Sequence, residues 1–226
     1  MRDKLIIFGI GETAATIFEY FQNDSNYKIL GFTAHKRYIH NDSINDLPIF
    51  PFEDLNLFTD PRETYLFPAV SYTNLNKDRS AIFRMAKNAG FKIPTFISSR
   101  SYISPTSKLG EGVFVYDNVS INHKCFLNEN TIICSGTTIS HSTIIGKNTF
   151  IAPNSTIGGF VNIGDNCFVG IGSTIVDKVN LVNNVILSAG SVLFKSADYP
   201  NIYKGNPATN TKLESEQFLL LNGEIS

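Results

Sequence analysis

From Ile103 to Leu193 an aliphatic residue stands at every sixth position: Ile103, Leu109, Val115, Ile121, Leu127, Ile133, Ile139, Ile145, Ile151, Ile157, Ile163, Val169, Ile175, Leu181, Leu187 and Leu193. A second column lies four residues after each of the first fifteen. It runs from Ser107 and Val113 to Val185 and Ser191 and holds only Val, Cys, Thr or Ser. A step of six fits neither an α-helix nor an alternating strand. Self-similarity at a fixed period is the mark of a solenoid. Each hexad therefore predicts a short strand and a corner, and three hexads close one triangular lap of 18 residues. Sixteen hexads make about five laps. The aliphatic residue points inward, and a small residue fits beside the corner where a large one clashes. Successive laps pair through their backbones at a spacing of ~4.8 Å. Each inward aliphatic residue contributes roughly 2 kcal/mol by burial, much of it offset by chain entropy. One lap cannot bury its face alone, so the stack is stable only as a unit.

Ahead of Ser101 the pattern is different. Lys4–Phe8 reads as an apolar strand, followed by Gly9-Ile10-Gly11-Glu12-Thr13-Ala14 and then Ala15, Ile17, Phe18 and Phe21 at helical spacing. Tyr27–Phe32 and Thr64–Val70 read as further strands, Arg79–Ala89 as a helix ending at Gly90, and Phe91–Phe96 as a fourth strand. Strand, glycine turn, helix, strand opens a nucleotide-binding βαβ unit. The glycines serve the turn with or without a ligand. A dinucleotide site wants an acidic residue at the end of the second strand. The stretch there, Gly31-Phe32-Thr33-Ala34-His35-Lys36, has none, so no redox cofactor is expected. The helix N-terminus suits a diphosphate, because its free N–H groups and dipole favour anions. The chain divides into an α/β domain (1–100), a β-helix (101–194) and a C-terminal extension (195–226).

Composition narrows the class. The 226 residues are 42% hydrophobic and 17% charged, enough for a soluble globular core. A net charge of −1 argues against nucleic acid as partner. No run is apolar for long enough to span a bilayer, and Leu5–Phe8 reads as a strand rather than a leader. Cys125, Cys134 and Cys167 have no metal spacing, so no metal is expected. An odd count of cysteines suits a reducing cytoplasm, with the thiols packed as small hydrophobes.

Glycine often follows the aliphatic residue, as in Leu109-Gly110, Ile145-Gly146, Ile157-Gly158, Ile163-Gly164 and Val169-Gly170. With Tyr203-Lys204-Gly205-Asn206-Pro207-Ala208 after it, the repeat resembles the hexapeptide-repeat acyltransferases, whose fold is a left-handed parallel β-helix. The small α/β domain ahead of it resembles the branch of bacterial nucleotide-sugar N-acetyltransferases and sialic acid O-acetyltransferases. That resemblance implies acetyl-CoA lying along the β-helix of a cytoplasmic homotrimer. It also implies a nucleotide-linked sugar held by the first domain.

Residues 18 apart share a corner on successive laps, so His123, His141 and Gly159 form one column, two residues after an inward aliphatic. Such a side chain faces outward. Geometry alone leaves His141 as a base or as an ordinary surface histidine. The resemblance makes it the general base that accepts a proton from an attacking amine. It makes Gly159 the N–H donor to the thioester oxygen. Ser142 stands where many relatives carry an acid that orients the histidine. Phe150 stands at a coenzyme-contacting position. Ile171 and Ala189, in the column Ser135, Pro153, Ile171, Ala189, border the pantetheine arm, and Lys195 faces coenzyme phosphates. For the sugar nucleotide the resemblance points to Gly11, Glu12 and Thr13, to Thr33, to Ser71, Asn76 and Arg79, and to His123, which is also a rival base. The reading is acetyl-CoA-dependent N-acetylation of a nucleotide-linked amino sugar, a 4-amino-4,6-dideoxy hexose, for bacterial surface glycans. The alternatives are a sugar or sialic acid O-acetyltransferase and a non-catalytic scaffold that binds sugar nucleotides.

Overall fold

In the computed structural model, which describes residues 2–214, each hexad is a two-residue strand ending on its aliphatic residue. Sixteen such strands run from Tyr102–Ile103 to Val192–Leu193 and fall in rotation onto three parallel sheets. Partners lie 18 residues apart, as in Ile121 with Ile139 and Ile139 with Ile157. The backbone N–H of residue i donates to the carbonyl of residue i+17, as from Phe114 to Thr131 and from Ile144 to Val161, both at 2.9 Å. Ile139, Ile145, Ile151 and Ile157 are fully buried in the core this winding encloses.

The column of small residues does more than avoid clashes. The hydroxyls of Thr131, Thr143, Thr149 and Ser173 donate to the carbonyls of Gly146, Gly158, Gly164 and Ser188 on the next lap, at 2.8–3.1 Å. These carbonyls are at the corners, outside the strand ladder. Cys125 and Cys167 occupy the same column and point their thiols at the carbonyls of Ser140 and Val182. The cysteines are therefore weak donors as well as small hydrophobes. A buried polar group without a partner costs about 1–3 kcal/mol. Among the described residues no buried side-chain nitrogen or oxygen lacks one.

From Gly112 to Gly190 each corner turns on one residue in the left-handed region, three positions after the inward aliphatic. On one corner these residues are Gly112, Asn130, Asn148, Asn166 and Asn184, and on a second Asn118, Gly136, Asn154, Gly172 and Gly190. Gly has no Cβ to clash there, and Asn tolerates the conformation best among the rest. The third corner breaks the rule with Lys124, Ser142, Phe160 and Lys178, at φ of 55–65°.

The first compact unit comprises the chain up to Ser71 together with Arg79–Phe96; the second takes Tyr72–Asp78 and the chain from Ile97 on. The first is an α/β layer. Strands β1 (Lys4–Phe8), β2 (Lys28–Ala34), β3 (Ser43–Ile44), β4 (Leu47–Pro51) and β5 (Thr64–Pro68) lie in the order β3-β4-β2-β1-β5. Helix α1 (Glu12–Asn23) buries Ala14, Ile17 and Phe21, and α2 (Lys77–Asn88) buries Ile82, Phe83 and Ala86. The hairpin β3–β4 was not legible in the pattern. Its strands are short, and Pro48 and Pro51, a residue type depleted in strands, fall in β4. The fourth strand expected at Phe91–Phe96 does not form in this unit: Lys92 makes a single bridge to Tyr65, and Pro94 removes a donor.

In the second unit the loop Tyr72–Asp78 is fixed by its own side chains. The Tyr72 ring meets Phe150 and Phe168 at 5.1 and 4.6 Å, and Leu75 is buried with Ile186 and Ile202. The expected C-terminal extension is not a separate domain where it is described. Asn201–Lys204 adds a parallel strand beside Ile186–Leu187 and pairs antiparallel with Thr209–Glu214. Residues 215–226 of that expectation lie outside the described residues.

Two neighbours with opposite environments test the winding. Ile163 is 1% exposed and Asn162, beside it on the same strand, faces outward. Ile163→Ala is expected to lower unfolding stability by roughly 2–5 kcal/mol, and Asn162→Ala by no more than about 0.5 kcal/mol. Urea unfolding of both variants measures the difference.

Candidate functional site

The irregular third corner is where the chemistry-bearing residues gather. The positions just ahead of its left-handed residues are His123, His141, Gly159 and Asp177, and the next at the same spacing is Lys195. The imidazoles of His123 and His141 are exposed. His141 leans over the following lap. A Cβ built on Gly159 would lie 2.8 Å from His141 Cε1 and 2.9 Å from Nε2. Glycine is therefore required at 159 for the ring to lie where it does. The Phe160 ring meets the imidazole edge-on, with centroids 5.0 Å apart and planes at 85°.

Several expected roles change. The Gly159 N–H donates to Asp177 Oδ1 at 2.5 Å. The same device caps other corners, with Lys147 N–H on Asp165 Oδ1 and Asp165 N–H on Asn183 Oδ1. While Asp177 holds this amide, it is not available to a thioester oxygen. What Gly159 contributes here is clearance. Among the described residues no hydrogen bond joins the Ser142 hydroxyl to His141; Ser142 serves the turn, with its N–H on the His123 carbonyl at 2.8 Å. His123 turns the other way and bonds Thr106 Oγ1 through Nδ1 at 3.0 Å, so the two imidazoles are not coupled by contact.

On the neighbouring corner Ile171 and Ala189 are exposed. Gly172 and Gly190, next to them, have no atom within 4 Å of a built Cβ. This gives a smooth apolar track along the stack. Lys195 is exposed. Phe150 does not face that track. It is 9% exposed and lies between Tyr72 and Phe168, stacking on the latter at 18°.

In the first unit, the C-terminal edge of the sheet carries the turn Gly9-Ile10-Gly11. Gly9 has φ +136°, and a Cβ there would lie 2.7 Å from the Ala69 carbonyl oxygen, so only glycine fits. Gly11 caps α1 without a side-chain bond; it and Glu12 are exposed and Thr13 is half-buried. The carboxylate missing from the end of β2 arrives from a distant turn. Glu53, in the 3-10 turn Phe52–Leu57, accepts the Lys36 N–H on Oε2 at 3.0 Å and lies 2.9 Å from His35 Nδ1 through Oε1. Bonds from its own backbone and then from His35 hold its carboxyl below the ordinary range.

Thr33, Asn76 and Arg79, expected beside the sugar nucleotide, are buried and bonded to backbone carbonyls. Thr33 is fully buried and donates to the Phe50 carbonyl. Asn76 is fully buried and donates to the Cys167 carbonyl at 3.1 Å. Arg79 is fully buried and donates to the carbonyl of Ser71, itself half-buried. These residues fix loops. The cysteines carry no chemistry at the surface: all three are buried and none is joined in a disulfide, and burial pushes the Cys167 thiol up to about 12. Among the described residues no cluster of three or more His, Cys, Asp or Glu is placed to hold a metal ion, and no helix is long and apolar enough to cross a membrane.

This fold, with its hexad register, is the left-handed parallel β-helix of the hexapeptide-repeat type, preceded by a small α/β unit. A family model described as the GMPPB C-terminal domain matches residues 91–199. No curated protein matches the chain by sequence. Among solved structures, the chain is similar to PerB from Caulobacter crescentus in complex with CoA and GDP-perosamine, with TM-score 0.82 and 23% identity over 92% of this chain and 97% of that one. It is similar to the acetyltransferase domain of PglB from Neisseria gonorrhoeae in complex with acetyl coenzyme A, with TM-score 0.82 and 22% identity over 93% and 100%. It is also similar to WeeI from Acinetobacter baumannii, with TM-score 0.77 and 16% identity over 91% and 98%.

Gly159→Ala tests the corner. Gly159 does not have a positive φ, so alanine suits its backbone and the imidazole must yield. The variant is expected to stay folded, with a melting temperature within a few degrees of wild type. Its His141 Cε1–H resonance is expected to move, which NMR of protein with labelled histidine detects.

Proposed function

We propose that the protein is an acetyl-CoA-dependent N-acetyltransferase acting on a nucleotide-linked amino sugar of the 4-amino-4,6-dideoxy hexose class. It works in the cytoplasm as a homotrimer and feeds surface glycan assembly. The observation that carries this reading is the exposed imidazole of His141 above a side-chain-free Gly159, on the one corner where the repeat abandons Asn and Gly. Fold likeness to structures that hold CoA with GDP-perosamine, and acetyl coenzyme A, supports the substrate class. Exposed apolar Phe126 and Ile144, paired on one sheet, support self-association. The buried free thiols accord with a reducing compartment.

Acetyl-CoA supplies the acetyl group and leaves as its thiol. The apolar track of Ile171 and Ala189 fits a pantetheine arm, and Lys195 at the end of the His141 column fits an anionic group. His141 takes the proton that the sugar amine releases as its nitrogen forms the amide bond, which is general base catalysis near neutral pH. Gly159 leaves room for the acyl group to come close to the wall. In the first unit, the α1 N-terminus offers the free N–H groups of a helix start to a diphosphate. Gly11, Glu12 and Thr13 lie around it.

The test is release of coenzyme A with an amino-sugar nucleotide against its hydroxy counterpart. Turnover of the amino compound alone is expected. Turnover of the hydroxy compound alone means an O-acetyltransferase instead. His141→Ala is expected to lower kcat by roughly 10²–10⁴-fold while sugar-nucleotide binding stays within a few-fold. If wild type and variant transfer equally little acetyl over a broad panel yet both bind sugar nucleotide, the protein is a scaffold.

A further inference from the structure

Among the four left-handed residues of the third corner, Phe160 is the most costly choice. A bulky side chain in this region is a conformational outlier, and outliers persist where a site requires them. The ten equivalent residues on the other two corners are all Asn or Gly, so the fold has a cheaper solution that it uses throughout those two corners. Packing does not explain the exception. Phe160 is 55% exposed, so its ring does not belong to the core. Among the described residues its one ring contact is the imidazole of His141, edge-on at 5.0 Å. Its backbone N–H donates to the His141 carbonyl at 3.0 Å, as a corner residue must, and asparagine or glycine makes that bond equally well.

We infer that Phe160 is a positioning residue for His141. Its ring closes one side of the imidazole, and the wall at Gly159 closes another, so the ring is held with a defined edge toward solvent. Ser142, half-buried and with no hydrogen bond from its hydroxyl to His141 among the described residues, offers no such restraint. In this chain an aromatic wall takes the place of a carboxylate partner, and it fixes orientation without adding charge. The left-handed conformation aims the Phe160 side chain at the preceding lap's histidine. This rests on His141 being the base.

The test compares Phe160→Asn and Phe160→Gly with wild type and with Phe160→Tyr. Release of the backbone penalty is expected to raise the melting temperature of the Asn and Gly variants by about 2–4 °C. The His141 Cε1–H resonance, shifted by the aromatic ring in wild type, is expected to move toward that of a free imidazole. kcat is expected to fall roughly 10- to 100-fold with KM little changed. Phe160→Tyr is expected to restore both the resonance and the rate. An unchanged His141 resonance together with an unchanged kcat in Phe160→Asn overturns the inference. So does a fall in melting temperature, or a loss of oligomer mass by light scattering, which makes Phe160 a fold or interface anchor. Should wild type transfer no acetyl group, the proposed activity fails, and the His141 resonance still decides whether Phe160 holds the imidazole.

Discussion

The structure depends on one constraint: a lap must close in 18 residues so that the N–H of residue i meets the carbonyl of residue i+17. If a lap gained a residue, every later aliphatic side chain would move off the core, since side chains on a strand alternate between faces. Two devices hold the count. A left-handed residue turns each corner from Gly112 to Gly190 at a fixed place in the hexad, and at positions such as Thr131, Thr143 and Cys167 a small residue sends a hydroxyl or thiol to a corner carbonyl of the next lap. The first sets the angle and the second removes the polar cost of burying the corner. Neither needs the outward side chain two positions after the aliphatic, so His123 and His141 can stand there.

The corners then divide the labour. Two use Asn and Gly throughout and are turns of least conformational cost. On the first of them Glu129 and Lys147 pair at 3.0 Å as a solvated surface. The third accepts Lys124, Ser142, Phe160 and Lys178 in the same conformation and carries both β-helix histidines. Natural chains break local rules where function demands it. Here the broken rule and the exposed imidazoles coincide on one edge out of three, which is stronger than either observation alone.

Much of this was legible in the letters. The step of six marks the strands, and the step of 18 puts His141 against Gly159. The left-handed column was equally visible, since Gly112, Asn118, Asn130, Gly136 and their successors keep the same period. Its exceptions mark the corner that carries the two histidines. Other features were not legible. Glu53 reaches the end of β2 only through the 3-10 turn after β4, and no spacing rule spans that path. Asn76 and Arg79 read as ligand-facing polar residues of a sheet-edge loop. Their burial follows from a left-handed run over Asn74, Leu75 and Asn76 that no periodicity announces.

Asp177 shows the price a repeat exacts from a site built into it. At Lys147 and Asp165, a side chain on the next lap satisfies a corner N–H, and this keeps the stack in register. At Gly159 the same cap falls on an amide beside the imidazole, the place where a reacting carbonyl oxygen would want a donor. One N–H cannot serve a carboxylate and an oxyanion together, and two negative groups at that spacing repel. The repeat therefore favours a histidine whose task needs only its own ring, held by its neighbours. The architecture leaves an imidazole exposed at this corner, whereas any oxyanion donor at the Gly159 amide must first displace the cap.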